Sequence, residues 1–237
     1  MRIDIRDNFT EVKKLLANHQ KQVAFATAVA LTKTAQDIQT AEKRAMQEVF
    51  DRPTRYTLNS VYIKPATKQS LTAIVWLKDD TSKGTPAAKY LLPQIEGGAR
   101  VPKRFEVALQ RAGVLAPGWF AVPGSGARLN QYGNMSPGQI VQILSALQAH
   151  PDAYSRSTKN SKKRNPRQAE YFASRGGQLP YGVWQRTRTG VRPILIFVKQ
   201  VSYKKTLDFF GVANRVIQQR FEMHWRVALE RAWATAR

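Results

Sequence analysis

The residues able to do chemistry are few and scattered. His19, His150 and His224 lie far apart, and none belongs to a ligand-spaced pair. Cysteine is absent, which removes thiol nucleophiles, thiolate zinc sites and any disulfide framework. Asp79 and Asp80 are adjacent, but neighbours on a strand point to opposite faces, so the pair reads as a hairpin end. Between Arg111 and Leu207 the only acidic residues are Asp152 and Glu170. Hydrolytic or nucleolytic chemistry needs converging acids, bases or metal ligands, and this pattern offers none. The glycine pairs at 97 and 176 and the PGSG at 123–126 lack the strand-to-helix context of a phosphate cradle and read as turns or helix stops. Asp4, Asp7 and Glu11 suit a helix N-terminus, and His150 suits compensation at a helix C-terminus. His19 and His224 fall within long helical segments, in packing or partly exposed roles. No catalytic, cofactor-binding or metal site is expected.

The most conspicuous segment is SRSTKNSKKRNPRQAEYFASRGG, residues 155–177, with seven Lys or Arg and one Glu. From Arg156 to Arg192 there are ten basic residues and one acidic one, with Tyr171, Phe172, Tyr181 and Trp184 interspersed. Such a mixture could neutralise phosphates and stack on bases. It also fits a solvated basic loop, 155–168, beside aromatics that occupy strand positions in a core. No recognition-helix, ribonucleoprotein or zinc-finger signature is present, so any phosphate contact would be nonspecific. Lys159, Lys162, Lys163, Arg164 and Arg167 are the residues expected to touch DNA or an acidic partner.

The elements that would carry these residues can be read from periodicity. Asp7 or Asn8 can cap a helix of about 40 residues along which Val12, Leu15, Leu16, Val23, Ala26 and Ala30 recur at three and four. Its Ala- and Thr-rich middle permits close approach of another helix, its own neighbour or a second subunit. SVYIKPA and LTAIVWLKDD predict a hairpin in which Val61, Ile63, Ile74 and Trp76 alternate with more polar neighbours. Helices follow near Pro86 to Gln94, stopped by Gly97 and Gly98, and over KRFEVALQRA, ending at Gly113. APGWFAVPGSG is a short extended piece. A helix capped by Ser136, with Pro137 at its first position, should run to about Ala149. GVWQRTRTGVRPILIFVKQV predicts two strands around a turn near Thr189 and Gly190. From Leu207 a second long helix keeps a helical period through Phe210, Ala213, Ile217, Phe221, His224, Ala228 and Ala232.

The fold expected is one α+β domain, residues 1–237, in which long N- and C-terminal helices frame a small, mostly antiparallel sheet, with a helical central insertion at about 86–168. With 38 Lys and Arg against 16 Asp and Glu, the net charge of +22 calls for a polyanionic or acidic partner. The charged first residues and the absence of a long apolar run predict a cytosolic, not membrane-bound, chain.

Three stretches resemble phage or prophage tail proteins of the minor tail protein Z or tail-completion type. They are the Ala-rich first helix, the central YLLPQIEGGARVPKRFEVAL with LNQYGNMSPGQIVQILSAL, and LPYGVWQRTRTGVRPILIFVKQVSYKKTLDF leading into the last helix. The resemblance implies a structural virion protein, made in the host cytoplasm, that completes the tail or adapts it to the head–tail connector. It implies a homo-oligomeric ring of six or twelve copies against portal, connector or tail proteins, with nonspecific contact to packaged DNA, no cofactor and no enzymatic step. The central insertion is longer than in compact members. The alternative from charge alone is a cytosolic, sequence-nonspecific nucleic-acid-binding protein.

Overall fold

The computed structural model describes residues 6–82, 84–164, 170–199 and 201–235, with side chains from Gln20 onward except that of Lys162. The class is α+β, with long helices at either end of the chain and small antiparallel sheets between them in sequence. Packing divides the chain into two compact units, Met1–Ile95 with Lys205–Arg237, and Glu96–Lys204. The insertion expected at about 86–168 falls across that division.

In the first unit, helix α1 (Arg6–Val49) is 44 residues long, which no interior Gly or Pro interrupts. A strict four-residue stripe, Ala26, Ala30, Thr34, Ile38, Glu42 and Met46, is buried along it. Its partner is the last helix, α7 (Phe209–Ala234), which starts at Asp208, whose carboxylate accepts from Gly211 N–H. The two helices run antiparallel: Ala26 packs against Ala228, Leu229 and Ala232, and the Asp37 carboxylate meets His224 Nε2 at 2.7 Å. Trp225 Nε1 donates to Thr27 Oγ1 at 3.1 Å. The Ala-rich middle of α1 is thus covered by its own chain, so close helix approach there requires no second subunit.

A short turn of helix, α2 (Arg55–Leu58), leads into the hairpin β1 (Val61–Lys64) and β2 (Ile74–Leu77). The register pairs Val61 with Leu77, Tyr62 with Trp76 and Ile63 with Val75. Val75 and Leu77 therefore share the buried face with Val61, while Ile74 and Trp76 are exposed. The sequence reading of β2 is wrong by one residue, and with a side-chain period of two that exchanges its faces. Helix α3 (Ala87–Glu96) closes this core with Leu91 and Ile95 against Met46, Leu207 and Phe209. It stops at Gly97, which has φ 83°.

The second unit holds a four-stranded antiparallel sheet made of β4 (Phe120–Pro123), β5 (Tyr171–Ser174), β6 (Gly182–Thr187) and β7 (Gly190–Val198), in the order β4-β7-β6-β5. A two-stranded ladder joins β3 (Gly98–Ala99) to β8 (Ser202–Tyr203). Helices α4 (Arg104–Arg111) and α5 (Pro137–Ala146) supply Leu109, Ile143 and Leu144 to a core with Val183, Ile194, Leu195 and Phe197. α5 stops three residues before the expected Ala149. Gln148 takes φ 60°, and the N–H groups of Ala149 and His150 both turn back to Leu144 O, which closes the helix.

Candidate polyanion interface

The basic segment is built on the end of α5. Ser157 is buried there: its Oγ donates to Ser145 O at 2.9 Å, and its own carbonyl accepts from Gln148 Nε2 at 2.7 Å. Thr158 and Ser161 then cap each other, Thr158 N–H donating to Ser161 Oγ at 2.8 Å and Ser161 N–H to Thr158 Oγ1 at 3.1 Å. This reciprocal cap satisfies two donors that a helix start would leave free. Helix α6 (Lys159–Arg164) follows, so the expected basic loop is in part a pinned helical turn.

Lys159, Lys163 and Arg164 are exposed on α6, and among the described residues none lies in a salt bridge. Lys162 is on the same helix, but its side chain is outside the described residues, as is Arg167 altogether. Glu170, the one acid of this stretch, accepts from Gln185 Nε2 at 2.6 Å, and Gln185 Oε1 accepts in turn from Arg192 Nη2 at 2.8 Å. That carboxylate is engaged away from α6.

Three of the four aromatics, Tyr171, Tyr181 and Trp184, belong to the core or pack on it. Tyr171 and Trp184 are buried, and Trp184 Nε1 donates to Pro180 O at 2.9 Å. Tyr181 Oη donates to Val114 O at 3.0 Å and accepts from Ala116 N–H at 2.8 Å, with Trp119 and Phe197 edge-on to its ring. Phe172 lies under the Arg186 guanidinium at 4.9 Å. Tyr171, Tyr181 and Trp184 therefore give α6 no stacking platform, and its charge by itself is enough for nonspecific phosphate contact.

The other candidates resolve separately. Gly124 and Gly126 serve the β4–β7 approach, where their N–H groups donate to Ile194 O and Pro193 O, and a Cβ on Gly124 would come within 2.6 Å of Pro193 O. His150 does not end α5; its Nδ1 sits at the backbone of Asp152, 3.2 Å from the N–H. Asp79 and Asp80 are exposed just past β2, and His19 has its side chain outside the described residues. Among the described residues, no three His, Asp or Glu side chains gather as a metal site, and no helix is long and apolar enough to cross a membrane.

Two carboxylates went unremarked in the sequence reading. Glu106 on α4 is fully buried and accepts from Arg100 Nη1 at 2.7 Å, Arg100 Nη2, Lys103 N–H at 2.6 Å and Ala121 N–H at 2.8 Å. Burial pushes its carboxyl up, but those donors outweigh it and hold the group below the usual carboxylate range. Glu42 on α1 is equally buried, yet neither oxygen has a hydrogen-bond partner. Burial, reinforced by the nearby Asp208 charge and opposed by Arg215, raises its pKa to about 8. The four-residue stripe from Ala26 to Met46 was the signal that would have found Glu42.

No protein family, curated protein or solved structure matches this chain.

Proposed function

We propose that the chain is a structural protein of a bacteriophage tail or neck, acting by assembly and without a catalytic step. On this reading copies associate as a ring that completes the tail or adapts it to the head–tail connector. The observation that carries the reading is the α1–α7 pair, two long helices clamped on each other through small residues, with large apolar side chains left outside. Phe25 on α1 and Phe210, Ile217, Met223 and Trp233 on α7 are all exposed. Phe210 and Ile217, seven residues apart, share one face of α7, and an exposed apolar face of that kind suits a protein partner such as the next copy in a closed ring. The resemblance of the three sequence stretches points the same way.

In the ring, α6 with Lys159, Lys163 and Arg164 meets DNA or acidic connector subunits, which the net charge of +22 favours. Native mass spectrometry of the purified protein, alone and with virion parts, tests the assembly. Electron microscopy and proteomics of virions test the location. A ring mass or a tail-resident protein is expected. Absence from mature particles, together with normal assembly in a deletion strain, would overturn the reading.

A further inference from the structure

Apart from α6, the second unit holds a groove between α4 and the chain that leaves α5. Its cavity is about 620 Å³, and Arg104, Arg111, Arg156 and His150 line it. That volume is within the range of small-ligand sites. Arg104 and Arg111 stand seven residues apart on α4, hence on one face and about 10 Å apart along the axis. Arg156, on the chain that leaves α5, lines the same groove and is steadied by its Nε, which donates to His150 O at 2.9 Å. The floor between them is apolar, with Val107 and Ala149 among its residues.

No carboxylate lines this groove among the described residues. The acid of α4, Glu106, is taken by Arg100, and Asp152 nearby accepts from Ser155 Oγ at 2.8 Å and Tyr154 N–H at 3.0 Å. Three arginines and His150 therefore line one cavity, with the Asp152 carboxylate, whose charge reaches Arg156 and His150, as the acid nearby, and this excess of positive charge favours entry of an anion. The lining cations are arginines with no lysine, in contrast to lysine-rich α6. Guanidinium forks bind phosphate oxygens in pairs, and a terminal phosphate, with three acceptor oxygens against a carboxylate's two, can accept from more of them. We propose that this groove binds nucleotide phosphate, either free or within a nucleic-acid strand, with the apolar floor taking the sugar or base. The site lies inside one unit of one chain, so it stands whether or not the protein belongs to a virion.

The test uses the full chain, with labelled oligothymidylate followed by anisotropy, and ADP and pyrophosphate followed by calorimetry, all at low salt. Arg104→Ser combined with Arg111→Ser should weaken the bound probe by about tenfold or more. Lys159→Ser combined with Lys163→Ser removes the same charge from α6 and should weaken ADP and pyrophosphate, which are too small to span both places, by less than about threefold. Arg156→Gln, which lies off the helix, should follow the groove variant and so separates ligand loss from damage to α4. Oligothymidylate binding alone assigns the site to a strand, and binding of ADP or pyrophosphate as well assigns it to the free nucleotide phosphate. Equal weakening of ADP and pyrophosphate in the groove and α6 variants would overturn the proposal, as would failure of all three probes to bind. So would a glutamate-rich peptide of equal charge that competes as well as oligothymidylate.

Discussion

Glu42 and Glu106 are both 0% exposed, and their opposite surroundings give opposite pH behaviour. The Glu42 carboxyl holds its proton in the folded chain up to about pH 8, against an ordinary value of 4.5. Between those limits the folded state carries a proton that the unfolded state has lost, so stability falls as pH rises, on the order of 1 kcal/mol per pH unit. Urea unfolding at pH 5 and pH 8 should show Glu42→Gln losing less stability across the interval than the parent chain. An identical loss would mean that Glu42 is ionised in the fold. Glu106 is depressed, so its contribution is present above the ordinary value and disappears as pH falls through the folded one. Glu106→Gln leaves the Arg100 guanidinium without its carboxylate and should cost about 3 to 5 kcal/mol in urea unfolding at pH 7. The burial of Glu42 was legible in its spacing. The rescue of Glu106 was not, since Arg100, Lys103 and Ala121 converge on it only through the turn before α4 and the start of β4.

At the scale of elements, both long helices and both hairpins were legible, because each rests on a period internal to its own segment. What a period leaves open is the side that meets a partner. In the β1–β2 hairpin the register turns Val75 and Leu77 inward and Tyr62 and Trp76 outward, with their rings 5.9 Å apart. Val75→Ala should therefore cost about 1 to 2 kcal/mol, whereas Trp76→Thr should stay within about 1 kcal/mol. Denaturant midpoints that rank the two the other way would restore the alternation first read from the sequence. The α1–α7 contact makes a sharper demand, since Ala26 and Ala30 are both 0% exposed. Ala30→Leu forces added volume into that closed contact and should lose about 1 to 3 kcal/mol by thermal or urea unfolding. An exposed, inter-subunit role for the Ala-rich face would instead leave the isolated chain almost unaffected.

For the whole molecule the governing quantity is charge, +22 over 237 residues. If α6 grips a polyanion, replacing Lys159, Lys163 and Arg164 by Ser lowers the slope of log affinity for duplex DNA against log salt by about one unit for each lost phosphate contact. An unchanged slope assigns α6 to a protein partner or to solvent. The amino-acid sequence by itself determined the α+β class, the two long helices, the two hairpin strand pairs and the excess of positive charge, because each is a local or additive property of the chain. Only the tertiary structure decided that α1 and α7 cover each other and that Tyr171, Tyr181 and Trp184 are core residues, not a stacking surface. It alone set three arginines around one groove, and it alone left one buried carboxylate fully bonded and the other bare. These outcomes depend on which distant segments meet, and burial, hydrogen bonding and charge pairing are properties of that meeting.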